Sequence, residues 1–138
     1  MNDAELVVQE AQRWLRFAAE DLDAARRLLA ARSSAPRHVC WHSQQAAERA
    51  LKAALVLEGI DFPFTHDLNA LRNLLPDSWP VWADLAELTG WAVQARYPGQ
   101  WPEPSTADAA CVMYKVVVVE IWYWWLELTT RSTRCRRR

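Results

Sequence analysis

From Asp3 to about Arg32 the apolar residues Val7, Ala11, Trp14, Ala18, Leu22, Ala25 and Leu29 recur at steps of three and four, which is one stripe of a helix. The opposite face carries Arg13, Arg16, Glu20, Asp23 and Arg27. There Arg16–Glu20 and Asp23–Arg27 are spaced to pair across one turn, at roughly 0.2–0.5 kcal/mol each. Only 3 of 138 residues are glycine, which disfavours collagen-like chains and turn-dense sandwiches. With 51% hydrophobic and 24% charged residues the chain can bury a sizeable core, and its length fits one domain.

The punctuation supplies the remaining elements. Ser33-Ser34-Ala35-Pro36 interrupts the first helix, and proline at a first helical position opens a second from Pro36 to Glu58, ended by a left-handed Gly59. Thr65 is placed to cap a short helix from His66 to Leu75, with Asp67 at its positive end and Pro76 as its stop. A fourth helix is expected from near Pro80 to Arg96, broken by Tyr97-Pro98-Gly99, with Gly90 weakening it by about 1 kcal/mol. Ser105 and Asp108 have the spacing of a variant capping box and open a long helix to about Thr130. The run Val116–Val119 favours a strand by propensity, but no second strand exists to pair with it. The reading is all-α: an up-and-down antiparallel bundle of four main helices plus one short helix, over residues 1–130.

Apolar residues surround the last helix, so one stripe cannot bury them all. Trp122 and Trp125 read as core, while at least one ring of Tyr123 and Trp124 belongs in a subunit interface. A homodimer built partly on that helix is expected. A membrane span is disfavoured, because Lys115 and Glu120 would each cost about 2.5–3.5 kcal/mol on insertion scales.

The formal net charge is −1, yet Arg131, Arg134, Arg136, Arg137 and Arg138 crowd the last eight residues. Residues 1–130 then hold 11 basic and 17 acidic groups, an acidic body with a solvated basic tail over 131–138. That is not the footprint of a dedicated duplex-DNA binder, which spreads its cations over a face. Cys40, Cys111 and Cys135 are odd in number and far apart, which fits a reducing cytoplasm and no disulfide framework. The start Met1-Asn2-Asp3-Ala4-Glu5 lacks the basic and apolar pattern of an export signal.

No glycine-rich phosphate loop, zinc-protease helix or nucleophile elbow is present. His38 and His42 are four apart, as a metal pair would be, but no carboxylate or third histidine accompanies them and Cys40 points elsewhere. No metal and no cofactor are expected. Gln44, Glu48 and Lys52 form a polar row beside Ala47, Leu51 and Leu55. By spacing alone this is a solvated stripe with a Glu48–Lys52 pair.

The blocks Gln44-Gln45-Ala46-Ala47-Glu48-Arg49-Ala50-Leu51-Lys52-Ala53, then Gly59, then Thr65-His66-Asp67-Leu68 and Leu74-Leu75, then Ala95-Arg96-Tyr97-Pro98 resemble the HEPN domain (higher eukaryotes and prokaryotes nucleotide-binding). The resemblance covers about residues 10–130. It implies a helical bundle, often dimeric, associated with nucleotides or RNA and often accompanied by a minimal nucleotidyltransferase in toxin–antitoxin pairs. The family's ribonuclease branch carries an arginine followed by four to six residues and a histidine. Arg96 matches that arginine, but positions 101, 102 and 103 are Trp101, Pro102 and Glu103. Without an imidazole there to move the proton, the resemblance implies a noncatalytic member. Arg37 and His42 fit the spacing literally, on the second helix, a match expected about once by chance in a chain this rich in arginine.

At that site Arg96 suits a forked contact with phosphate, Tyr97 offers a ring and a hydroxyl, and His66 a proton or a donor. Lys52 adds a point charge if its helix faces the same cleft, and Gln44 and Glu48 form the supporting polar row. The competing reading has Arg96 neutralising its helix end and binding an acid such as Glu48. The chain therefore reads as a cytoplasmic, noncatalytic binder of a nucleotide or RNA that partners a minimal nucleotidyltransferase. The alternatives are a ribonuclease toxin using Arg96 with an unconventional acid or base such as His66, and a structural dimeric scaffold.

Overall fold

The computed structural model of the chain describes residues 2–32, 35–79 and 85–116. Among them are five helices and no strand: α1 (Asp3–Ala30), α2 (Arg37–Glu58), α3 (Leu68–Asn73), α4 (Ala86–Gln94) and α5 (Thr106–Val116). The all-α reading holds. The aromatic cluster Trp122 to Trp125, the end of the last helix and the basic tail lie outside the described residues.

Helix α1 begins with a reciprocal cap: the Asn2 side chain accepts from Glu5 N at 2.9 Å, and the Glu5 carboxylate accepts from Asn2 N at 3.0 Å. Ala11, Ala18 and Ala25, seven residues apart, are fully buried with Leu15 and Leu22 between them. Small side chains at that period let a neighbouring backbone come close. The neighbour is α2, which supplies its own alanines at 46, 47, 50, 53 and 54 and also packs on α3, α4 and α5. Helix α2 is thus the centre of the bundle. It ends as expected, with Gly59 at φ 69° and the backbone N–H of Gly59 and Ile60 returning to the last turn.

Two boundaries differ from the sequence reading. Asp67, not Thr65, is the N-cap of α3: its carboxylate accepts from Ala70 N at 3.1 Å, while the Thr65 hydroxyl accepts from Asp67 N at 3.1 Å. His66 is consequently held outside the helix. Helix α4 starts at Ala86, with Leu85 outside it and the Leu85 N–H donating to the Asn69 side chain at 3.0 Å. Thr89 accepts from Leu68 N at 3.0 Å, so the short α3 is tied to α4 by side chains of both. Helix α5 opens with the expected box, Asp108 N donating to the Ser105 hydroxyl and Ser105 N to the Asp108 carboxylate, each at 3.0 Å. Those bonds, the Ser105 N–H foremost, hold the Asp108 carboxyl below its ordinary value. No described helix is long and apolar enough to cross a membrane.

Candidate functional site

The polar row on α2 is not solvated. Gln44 is fully buried, Glu48 and Lys52 are nearly so, and Gln45 joins them by donating its amide N–H to Gln44 Oε1 at 2.7 Å. This corrects the reading from spacing, and the reason lies in what packs on the row. The Lys52 ammonium stands 5.6 Å from the ring centres of both Trp14 and Phe62, whose own rings meet edge to face. Its Nζ lies 3.6 Å from Glu48 Oε1. A buried lysine is tolerated here because two π-faces and a carboxylate replace its water.

The same Glu48 oxygen meets His66 Nδ1 at 2.7 Å. A carboxylate only accepts, so Nδ1 carries the hydrogen, and the tautomer with that single hydrogen presents a lone pair at Nε2. Arg96 Nη1 faces that nitrogen at 3.5 Å. Lys52, Glu48, His66 and Arg96 therefore form one continuous chain of polar contacts from the interior to the surface. They come from α2, the loop before α3 and the turn after α4, so three elements must dock before the chain exists.

Arg96 sits past the end of α4, exposed, with no carboxylate within ion-pair distance among the described residues. It does not bind Glu48 directly; His66 stands between them. Arg96 and Tyr97 line a cleft of about 360 Å³ together with Arg37, Trp91, Trp101 and Glu103. The second arginine of the cleft is already engaged: Arg37 Nη1 lies 3.3 and 3.1 Å from the two Glu103 oxygens, and Arg37 N donates to the same side chain at 3.2 Å. Lys52 does not line this cleft, so its contribution passes through Glu48. His66 reaches the cleft only through Arg96.

The loop after α4 is built tightly. Trp101 Nε1 donates to the Tyr97 carbonyl at 3.2 Å, and its indole covers Gly99 so closely that a Cβ there would fall 2.5 Å from Nε1. Trp101 and Glu103 thus have structural duties at two of the three positions where a ribonuclease-type histidine would fall. A second carboxylate–histidine pair lies between α1 and α2: buried Asp21 accepts from Arg49 and faces His42 Nδ1 at 3.2 Å. His42 is therefore directed to α1, while Arg37 turns to Glu103, and the literal arginine–histidine match on α2 does not converge. No cluster of three His, Cys, Asp or Glu among the described residues is placed to hold a metal ion.

A model of the HEPN domain matches residues 11–121, about four-fifths of the chain. The chain belongs to the HEPN family. Neither a curated protein nor a solved structure matches it. Membership connects this HEPN domain with nucleotides or RNA in general terms. Sequence reasoning passed over Phe64, Trp91 and the Arg37–Glu103 clasp. An exposed ring at 64 was signalled only by its place between Pro63 and Thr65 in a loop.

Proposed function

We propose that this HEPN domain binds a nucleotide or RNA by taking a phosphate on Arg96 at the mouth of the cleft. The observation that carries the reading is a surface guanidinium with no acidic partner among the described residues, held at 3.5 Å from His66 Nε2. A fork of N–H donors in that state donates to two phosphate oxygens without first surrendering an ion pair. Tyr97 adds a hydroxyl and a ring at the same rim, while Glu48 and Lys52 fix His66 from behind. The protein acts without cleaving its ligand, in the cytoplasm, as a homodimer through the last helix and as the partner of a minimal nucleotidyltransferase in a toxin–antitoxin pair. Support for the dimer is the exposed ring of Tyr114 on α5 and the aromatic run that follows. Binding of AMP and of a short RNA, measured by calorimetry with and without the nucleotidyltransferase, should fall at least tenfold in Arg96→Ala. Unchanged binding in that variant refutes the site.

One observation favours a second reading, a ribonuclease. His66 has its Nδ1–H fixed by a buried carboxylate and its Nε2 beside a guanidinium, so Nε2 can serve as a general base once that guanidinium moves onto an anion. Cleavage of cellular RNA on expression, abolished in a His66→Ala variant that still binds nucleotide, would select it over the noncatalytic binder.

A further inference from the structure

The aromatic rings around Arg96 exceed what a phosphate contact requires. Phe64 is 95% exposed, although Phe62, two residues earlier, is packed against Trp14. The Phe64 ring stands edge to face with His66 at 5.8 Å, outside the cleft lining, and His66 in turn meets Arg96. Within the cleft, Tyr97 is 63% exposed and Trp101 47%. Two separate aromatic platforms thus flank the Arg96 guanidinium, which has no carboxylate partner among the described residues. Cation and rings interleaved in this way form the surface on which an unpaired strand binds, since every base has a π-face and every linkage a phosphate. Bases inside a duplex are already stacked and offer no face to a side chain.

Resting on the phosphate-binding reading above, we infer that Phe64 stacks one unpaired base and the Tyr97–Trp101 rim stacks a neighbouring one, with Arg96 on the phosphate between them. The ligand is then a single strand of two or more nucleotides and not a free mononucleotide. Phe64 is available to a ligand because its ring is almost wholly exposed, while the His66 ring it meets is oriented by Glu48. Truncating so exposed a ring removes little packing, so the variant folds.

The test is fluorescence anisotropy of the full chain with a labelled oligouridylate of six residues, with AMP as competitor and the annealed duplex as control. Oligouridylate should bind at least tenfold more tightly than AMP or duplex. Phe64→Ala should weaken it about tenfold, and Phe64→Trp should restore it. If Arg96→Ala abolishes binding while Phe64→Ala leaves it unchanged, the stacking role is overturned and the phosphate site stands. If Arg96→Ala has no effect, the phosphate site itself fails. Equal affinity for AMP or duplex overturns the strand assignment. Weakened self-association in Phe64→Ala with unchanged oligonucleotide binding would give the ring to a subunit contact and likewise overturn it.

Discussion

Glu48→Gln removes one negative charge from a place where the opposite charge cannot follow it into water. The Glu48 side chain is 4% exposed and Lys52 10%, with Nζ 3.6 Å from Oε1. Breaking a buried ion pair by neutralising one member typically costs 3–5 kcal/mol, because the other charge stays buried without compensation. Here the loss belongs at the lower end. Lys52 keeps the faces of Trp14 and Phe62, and the glutamine carbonyl still accepts from His66 Nδ1. We expect about 3 kcal/mol, which for a domain of this size is a fall in Tm of about 10 °C. Adding Lys52→Met replaces the stranded ammonium with an apolar chain of similar length between the same two rings. The double variant should return to within about 1 kcal/mol of the parent, the recovery measuring the coupling of the pair. Urea titration followed by circular dichroism at neutral pH reads the parent, the two single variants Glu48→Gln and Lys52→Met, and the double variant. A Glu48→Gln loss below 1 kcal/mol, or a double variant no more stable than the single, refutes the assignment of the row as a buried, charge-balanced element.

Three further outcomes follow from the loops and caps. Gly99→Ala places a Cβ against the Trp101 indole, so the ring must leave its bond to the Tyr97 carbonyl; the Trp101 N–H resonance should move, and stability should fall by about 1 kcal/mol. Asp67→Ala removes the cap of the six-residue α3 and should cost about 1 kcal/mol in urea unfolding, with Asp67→Asn close to the parent. Because the folded state depresses the Asp108 carboxyl below 3.8, its contribution is full above the unfolded value and is lost as pH falls through the folded one. The Ser105 and Asp108 amides should therefore lose exchange protection in that acid range, and Asp108→Asn should remove this pH dependence.

The parts of the fold legible in the sequence are those set by local chemistry. The stripe of α1, the Gly59 terminus and the Ser105–Asp108 box each depend on residues within a turn or two of one another, so spacing suffices to find them. The polar row of α2 shows why the site was less legible. An i, i+4 Glu–Lys pair has the same pattern on a wet face and on a dry one. What makes this one dry is Trp14 from α1 and Phe62 from a loop, neither adjacent in sequence. Phe62 and Phe64 make the same point. They flank one proline, yet one is packed and the other almost bare, and only the docking of α1 distinguishes them.

The histidine missing after Arg96 is the sharpest case, because a local motif and a spatial one give different answers. The loop from Tyr97 to Glu103 has no room to spare: Trp101 closes over Gly99, and Glu103 holds Arg37. The imidazole that meets Arg96 comes instead from thirty residues earlier, held out of α3 because Asp67 rather than Thr65 takes the cap. Its accepting nitrogen is occupied while Arg96 faces it, and an occupied lone pair removes no proton. Catalysis by His66 thus requires Arg96 to move onto a phosphate and free Nε2, whereas binding needs no such release. A ligand that leaves the His66–Arg96 contact in place makes the protein a binder. One that draws the guanidinium away delivers both an anion clamp and an unmasked base to the same linkage. The choice between the two readings therefore reduces to the position of one side chain in the complex, which the His66 ring resonances report directly.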